Sequence, residues 1–469
     1  MQKRTSLALL ICLWLAAVSC EITIPGGSVS TLVSEAEAVA SKVAEAQTQT
    51  AGSHGAAPSA TETGPSGGGP SATDTETPVP TQALTPTPTV TATPSPPHLR
   101  VAFISGGSPW MVEPPAAAFQ LSAFTGVDSV HISDDGQRVA YVRHNDYSSP
   151  AELRVVHSDG TNDHTLLTSA QVGGLETPPG GALFVDLFQV KWIPGTHDLF
   201  ISTKADFEGP GLARFDDLFR LNADTGAITT ILTAGNAGEV WPSPDAAKMV
   251  ISRATAISLA NIDGTGRMSD IITFPAIITY SEYQYYPEPV WAHDSASFGV
   301  IIASEDPFAP SPTGSIWLVN AATGAATLAS TLNGNFFFPK AVLSPTLDHV
   351  GYVTNPVSPS VNESYVSTLD GSFGLHLGSG TTGVDSFAPD GQHFAYYVGA
   401  PVTKYIGSLG GGTILVPGGA MRIRWFNDTE FVYAAGTVAS WTLRLGNAGG
   451  ASNVIANPVG DRTTFDVDE

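Results

Sequence analysis

Residues 127–168 read VDSVHISDDGQRVAYVRHNDYSSPAELRVVHSDGTNDHTLLT, and this stretch sets the pattern for most of the chain. Short runs rich in valine, leucine and tyrosine alternate with two turns, Asp134-Asp135-Gly136 and Ser158-Asp159-Gly160. An Asp-Gly pair between β-branched or aromatic runs is a strong hairpin signal, because glycine accepts the positive φ that such turns require. The stretch therefore predicts short strands joined by tight turns.

The same unit recurs in degraded form along the chain. Its first turn is found at Ser133, Ile193, Ser243, Ala292, Ser344, Ala388 and Phe426, each time followed by a short apolar strand such as VAYV, MVIS or FAYYV. Ser133 and Ile193 are 60 residues apart, and Ala388 and Phe426 are 38 residues apart. Most copies continue into a second strand that ends in a glycine turn. Units of this size with four short strands are typical of β-propeller blades.

One further unit begins the repeat region without its first strand. An apolar strand occupies 98–104 with no turn before it, and a spare strand, Thr463–Val467, follows the last complete unit. We expect an all-β propeller over residues 98–469, closed by pairing of the C-terminal strand with the N-terminal unit, which removes exposed sheet edges. Eight four-stranded blades are expected, with seven as the alternative if the short unit at Phe426 is irregular.

Large apolar side chains precede these turns. They are Trp192, Trp241, Trp291 and Trp425, with Ile132 and Leu343 at the equivalent place. We interpret them as core between neighbouring blades rather than as ligand-stacking groups.

The Asp-rich turn, the following VAYV or FAYYV strand and the later Asp-Gly strand pair together resemble the TolB-like, WD40-like propeller repeat family. The resemblance extends over residues 98–469 and is strongest at 130–168 and 385–398. It implies a propeller fold and names no ligand. Similar repeats also form the propeller part of prolyl-oligopeptidase-like enzymes, which carry a separate hydrolase domain in addition.

The N terminus resembles a bacterial lipoprotein signal. Lys3 and Arg4 precede an apolar run, residues 7–18, that is too short for an ordinary membrane span, and Leu15-Ala16-Ala17-Val18-Ser19-Cys20 resembles a lipobox. We expect residues 1–20 to be a signal peptide and Cys20 to carry the lipid that anchors the protein to the membrane. An ordinary signal peptide is the alternative. The expected location is the bacterial cell envelope: the outer face of the cytoplasmic membrane, the periplasm or the cell surface.

Residues 21–97 are predicted to be a tether. Residues 31–47 have helical apolar spacing, but the apolar face of Ala and Val would make such a helix marginal by itself. Between Thr48 and Pro97 almost every residue is Thr, Pro, Ser, Gly or Ala, a composition that favours disorder because it buries little apolar surface. A flexible chain of roughly 50 residues reaches about 40 Å.

Composition excludes several function classes. The 469 residues carry a formal net charge of −23 without a Lys/Arg cluster, so nucleic-acid binding is not expected. Both cysteines, Cys12 and Cys20, lie in the leader, so disulfides and thiol chemistry are not expected in the rest of the chain.

We find no sequence evidence for a catalytic or metal centre. Residues 98–469 contain no G-x-S-x-G, HExxH, P-loop or Cys/His zinc spacing. Histidines such as His144, His164 and His197 are interpreted as solvated turn residues. Asp134, Asp135, Asp245, Asp294 and Asp390 are interpreted as turn formers rather than metal ligands, since an Asx side chain caps its own turn. No cofactor is predicted.

The segment 279–290, TYSEYQYYPEPV, departs from the repeat and is the main candidate binding site. Aromatic rings beside carboxylates suit sugars, peptides or cationic groups, and connections between blades tend to line a channel mouth. The candidate residues are Tyr280, Glu282, Tyr283, Tyr285, Tyr286 and Glu288; the alternative is that about half of the tyrosines only pack on the next blade. Two other loops, 204–217 and 173–181, are further candidates.

These observations favour a monomeric, membrane-tethered binding or scaffold module for an unknown protein or polysaccharide. The alternative is a propeller lyase or hydrolase with acid and base groups at the channel mouth.

Overall fold

The computed structural model describes residues 98–208, 213–281, 283–354, 361–460 and 463–468. The predictions for the signal peptide, Cys20, the tether and the helix at 31–47 lie outside these residues, as does Glu282. None of the helices in the described ranges is long and apolar enough to cross a bilayer.

The described chain forms eight antiparallel sheets, the blades of a propeller. Blade 1 contains β1 (Val101–Ser105), β2 (Ser108–Val112), β3 (Phe119–Gln120) and the last strand, β33 (Phe465–Val467). Blade 2 contains β4 (Val127–Ile132), β5 (Arg138–Arg143), β6 (Glu152–His157) and β7 (His164–Leu167). A short helix, α1 (Ser169–Gly173), follows it. Blade 3 contains β8 (Ala182–Trp192), β9 (Asp198–Phe207), the short β10 (Ala213–Arg214), β11 (Leu218–Asn222) and β12 (Ile228–Leu232).

The remaining five blades follow in chain order. Blade 4 contains β13 (Glu239–Pro242), β14 (Lys248–Ser252), β15 (Ala256–Asn261) and β16 (Met268–Thr273). Blade 5 contains β17 (Pro289–Trp291), β18 (Ser297–Ala303), β19 (Thr313–Asn320) and β20 (Ala326–Asn333). Blade 6 contains β21 (Val342–Leu343), β22 (His349–Thr354), β23 (Glu363–Thr368) and β24 (Gly374–Ser379). Blade 7 contains β25 (Thr382–Phe387), β26 (His393–Val398), β27 (Thr403–Ser408) and β28 (Thr413–Leu415). Blade 8 contains β29 (Ala420–Trp425), β30 (Glu430–Thr437), β31 (Ser440–Asn447) and β32 (Ser452–Ala456).

The predicted all-β propeller of eight four-stranded blades is confirmed, with β10 as a short addition to blade 3. The unit at Phe426 is a regular four-stranded blade, so the seven-blade alternative is wrong. Its short length reflects the two-residue connection between β30 and β31 and the four-residue turn between β31 and β32, not a missing strand.

Ring closure also follows the prediction. Strand β33 pairs antiparallel with β1, with Val101 opposite Val467 and Phe103 opposite Phe465. The side chains of Phe465 and Val467 are buried between blades 8 and 1. The first blade therefore takes its first strand from the opposite end of the chain, and β1 is not left as an open edge at the junction.

The hydrophobic core lies between blades rather than within one centre. Each apolar cluster joins neighbouring blades: Val432 and Leu443 of blade 8 pack with Val101 and Phe103 of blade 1, for example. The other clusters continue this pattern around the ring. A sheet with two apolar faces is stable only when both are covered, which the ring arrangement provides for every blade.

Three tryptophans add a hydrogen bond to this packing. The indole Nε1 of Trp192 donates to the carbonyl of His131 on the preceding blade at 2.9 Å, and that of Trp291 donates to the carbonyl of Trp241 at 3.1 Å. Trp425 Nε1 donates to Ser386 Oγ at 3.2 Å in the same way. Trp241 lies two residues before its turn instead of one; like Trp291 it is half-buried and packs against the apolar cluster that joins blades 4 to 6.

The turn aspartates act as the sequence predicted. Asp135, Asp245, Asp294 and Asp390 each accept a hydrogen bond from the backbone N–H two residues later, at 2.8 to 3.0 Å. Asp134 instead accepts from the N–H of Gly195 in the next blade at 3.0 Å. Gly136 has φ 63°, a left-handed value that explains the Asp-Gly signal.

Deleting residues 460–469 should lower the melting temperature by roughly 10 °C or more, because the deletion exposes the partners of Phe465 and Val467 and leaves β1 as an open edge. The single change Phe465→Ala should cost about 3 kcal/mol of unfolding free energy. Thr463→Ala, which precedes β33, is the matched control. Thermal melts followed by circular dichroism measure all three, and unchanged melting of the deletion would contradict ring closure as a source of stability.

Candidate functional site

The two ends of the propeller differ in their connections. Because the four strands of a blade alternate in direction, the first-to-second and third-to-fourth turns lie at one end, and the second-to-third and blade-to-blade connections lie at the other. The former are tight turns, and we call that end the turn face. The latter include every long connection in blades 2 to 5, and we call this end the loop face. In the part of the chain that the structure describes, these long connections lie within 144–151, 168–181, 208–217, 274–288, 304–312 and 334–341. The described residues of the three segments singled out from the sequence, 173–181, 204–217 and 279–290, therefore lie on the loop face or in the strand ends next to it.

An exposed aromatic patch lies on the loop face, beside blade 5. It consists of Tyr280, Tyr283, Phe308 and Phe338, with exposed fractions of 68%, 47%, 43% and 63%. Three different connections supply these residues: 274–288, 304–312 and 334–341. Few isolated proteins expose several large aromatic rings together, so such a patch is a marker of an interaction surface.

Edge-to-face ring contacts connect two members of the aromatic patch, Tyr280 and Phe308, to each other and to neighbouring rings. Tyr280 meets Phe308 with centroids 5.7 Å apart, Phe308 meets the half-buried Phe337 at 5.8 Å, and Phe337 meets Tyr285 at 5.3 Å. Tyr280 Oη also donates to Asp306 Oδ2 at 3.0 Å. The backbone of Tyr280 has φ 56°, an unfavourable value for a bulky residue, so the surrounding contacts hold this ring outward at a cost in strain.

The other two tyrosines of the segment are structural. Tyr286 is buried, donates from Oη to Asp216 at 3.1 Å, and stacks on the guanidinium of Arg214 at 4.2 Å. It joins the connection before blade 5 to the loop of blade 3. Tyr285 is half-buried against Phe337. Two tyrosines of the segment are thus exposed and two are packed, but Tyr286 packs on the loop of blade 3 and not on the next blade, where the alternative placed it.

Glu288 lies apart from the aromatic patch, in an ion pair with Lys340 from the next blade connection. Both residues lie just before the first strands of their blades, β17 and β21, which are edge strands of their sheets. They therefore face the central channel.

The channel is lined at two levels by alternate residues of the first strands. The residue two positions before each turn stays partly accessible while its neighbours are mostly buried, and we call these eight positions the inner ring. They are Asp466, His131, Lys191, Trp241, Val290, Val342, Ser386 and Arg424, in order from blade 1 to blade 8. Two residues earlier, nearer the loop face, is the mouth ring: Thr464, Ser129, Gln189, Glu239, Glu288, Lys340 and Arg422.

Charges of the two rings act on one another. The charge of Arg424 on blade 8 acts on His131 of blade 2, and that of Lys340 beside blade 6 acts on Lys191 of blade 3. One blade separates blades 8 and 2, and two blades separate blades 3 and 6, as expected for side chains that face a common channel. Burial lowers the pKa of Lys191 to about 7 and that of Lys340 to about 8, although Glu239 acts in the opposite direction.

A second feature of the loop face is a cleft of about 590 Å3 between blades 2 and 3. At its side, His144 Nδ1 lies 2.5 Å from Asp128 Oδ2, and His144 Nε2 lies 3.1 Å from Asp186 Oδ2. Hydrogen bonds to Asp128 and then Asp186 raise the pKa of His144 to about 9. The ring is therefore a cation near neutral pH, with both nitrogens engaged.

The sequence interpretation of His144 as a solvated turn residue is wrong. Its side chain is only 13% exposed and joins the first strands of two blades through Asp128 and Asp186. An imidazolium with both N–H groups bound to carboxylates has no lone pair to accept a proton or bind a metal. The described residues also include no group of three or more His, Cys, Asp or Glu side chains placed to hold a metal ion.

No family model matches the sequence, and no curated protein matches it. Among solved structures, the chain resembles dipeptidyl peptidase 4 of Porphyromonas gingivalis, with 12% identity, 74% of this chain and 56% of that chain covered, and a TM-score of 0.49. A eukaryotic initiation factor has 11% identity, with 78% of this chain and 85% of that chain covered and a TM-score of 0.45. TolB of Acinetobacter baumannii has 12% identity, with 60% of this chain and 64% of that chain covered and a TM-score of 0.32. Likenesses of this size concern the fold alone.

Replacing His144 with Gln should destabilise the protein by about 2 kcal/mol at pH 6, a value reduced for solvent screening of this partly accessible site. The pKa of His144 is higher in the folded than in the unfolded chain, so its stabilisation is complete below about pH 6.5 and is lost as pH rises through about 9. The gap between native and His144→Gln should therefore close by pH 10.

Urea unfolding of both proteins across this pH range measures the effect. Ser148→Ala, in the same loop, leaves the three ionised groups in place and serves as control. A gap that stays constant from pH 6 to pH 10 would show that His144 does not stabilise the fold through its charge.

Proposed function

We propose that this protein is a membrane-tethered, extracytoplasmic binding module that engages a partner through the loop face. The observation that carries the proposal is the aromatic patch, where three separate connections present exposed rings at one place. Aromatic residues are enriched at the centres of protein interfaces because they bury a large area at little cost in side-chain entropy.

The chemistry of the aromatic patch favours a protein partner over a glycan. Phe308, Phe338 and the adjoining, exposed Ile278 have no polar side-chain group, and the backbone of Ile278 bonds to Glu305 of the neighbouring loop at 2.8 Å. Such a surface gains most from an apolar counterpart, whereas a sugar presents many hydroxyl groups that need hydrogen-bond partners.

The leader supports the tether. A lipid on Cys20 followed by the Thr/Pro/Ser/Gly/Ala-rich segment would hold the propeller away from the membrane and leave the loop face accessible to other envelope components.

Screening the full chain in detergent against peptide and glycan arrays should yield peptide ligands with apolar or aromatic residues. The double change Tyr280→Ser with Phe338→Ser should weaken binding of those peptides by about tenfold or more, since two aromatic anchors are lost. Phe373→Ser removes a ring that is 52% exposed from the turn face and is the matched control. Ligands that are all glycans, or equal binding by patch and control variants, would contradict the proposal.

Replacing Cys20 with Ser should move the protein from the membrane fraction to the soluble fraction, because the lipid anchor can no longer be attached. Cys12→Ser, within the apolar run, should leave the protein in the membrane. Fractionation followed by immunoblotting measures both. Retention of the Cys20→Ser protein in the membrane would rule out the lipid as the anchor.

A further inference from the structure

We propose that the inner ring of the channel binds an oxyanion, a carboxylate or phosphate group, between Arg424, His131 and Lys191. This site lies below the loop face and is separate from the aromatic patch, so its existence does not depend on the proposed partner.

The basic side chains of the channel are unpaired. Most described lysines and arginines form a salt bridge within 4 Å, as expected for a chain with a net charge of −23. Among the described residues, six have none: Lys191, Lys248, Arg267, Arg422, Arg424 and Arg444. Three of these six, Lys191, Arg422 and Arg424, lie in the channel, and Arg422 and Arg424 are exposed there at alternate positions of β29. Unpaired guanidinium groups accessible from a confined space are suited to bidentate binding of an oxyanion.

The ammonium group of Lys191 contacts an aromatic ring and a backbone carbonyl. Its Nζ lies 3.0 Å from the ring centroid of Trp241 and contacts the carbonyl of Val240 at 3.4 Å. A buried ammonium usually has a carboxylate partner, because the loss of hydration is otherwise uncompensated. A bound anion would supply that partner.

The inner ring is divided into a polar side and an apolar side. Blades 7, 8, 1, 2 and 3 contribute polar or charged groups in an unbroken arc, whereas blades 4, 5 and 6 contribute Trp241, Val290 and Val342. Asp466 is the single carboxylate of the arc, and its Oδ2 accepts the N–H of Ile132 at 3.1 Å. His131 Nε2 is 3.0 Å from Ser129 Oγ, and the other ring nitrogen has no hydrogen-bond partner among the described residues. The arc thus concentrates donors on one side of the channel.

The test uses the full chain in detergent, titrated with inorganic phosphate or with acetate at pH 7, with chloride holding the ionic strength constant. Either anion should raise the melting temperature in a saturable way, which chloride should not do. A preference for phosphate or for acetate identifies which group the site takes. Equal, unsaturable effects of all three anions would overturn the proposal.

Variants locate the site. Arg424→Gln should weaken binding of the preferred anion by about tenfold or more, and Arg424→Lys by less, because the charge remains while the bidentate geometry is lost. Arg444→Gln, in the third strand of the same blade, is the matched control and should change affinity by less than about twofold. If Arg424→Gln does not fold, Lys191→Met takes its place. Unchanged affinity in the folded variant would overturn the assignment.

Proton uptake on anion binding is a second test of whether Lys191 and His131 are ligands. Burial lowers the pKa of Lys191 to about 7, with Lys340 acting in the same direction and Glu239 in the opposite one. Burial and the charges of Arg424 and Lys191 also keep the pKa of His131 low, against Asp466. An anion in the site favours the charged forms of both residues, so binding at pH 8 should take up protons. Calorimetry in buffers of different ionisation enthalpy measures this. Binding without proton uptake would exclude Lys191 and His131 as ligands.

Discussion

The structure depends on the burial of every sheet face against a neighbouring blade. A four-stranded sheet of this kind has apolar side chains on both faces, and an isolated sheet would expose them to water. Placing eight sheets in a ring covers all sixteen faces, but only if the ring is closed. Strand β33 provides that closure by placing Phe465 and Val467 between the first and last blades, so the cores of all blades depend on the C terminus.

Closure also gives the innermost strands a double role. One set of alternate residues, such as Trp192 and Trp425, faces the gap between blades and donates indole hydrogen bonds to the blade before. The other set faces the channel, where packing no longer selects for apolar residues. Charged groups such as Arg424 and Lys191 can therefore occupy those positions without disturbing the core.

The two ends of the propeller differ in how much their connections can vary. Turns that follow the Asp-Gly pattern satisfy their own backbone and leave little room for variation, as Asp245 and Asp390 illustrate. The connections at the opposite end vary more in length, with two residues between β30 and β31 and nine in 304–312. The aromatic patch, the contacts of His144 with Asp128 and Asp186, and the channel mouth all lie at that end.

The sequence by itself determined the repeat, the turn chemistry, the composite first blade and the departure of segment 279–290 from the pattern, because each of these is encoded locally in the order of residues. Tertiary structure alone decided which of the tyrosines are exposed, since Tyr286 is buried by Asp216 and Arg214 from another blade. It also decided the state of His144, whose partners Asp128 and Asp186 come from two blades. An alignment of the repeats on their turns could have indicated the charged inner ring, because His131, Lys191 and Arg424 share one register. Their approach to one another in the channel could not be derived, because side chains of non-neighbouring blades come near each other only once the ring has closed.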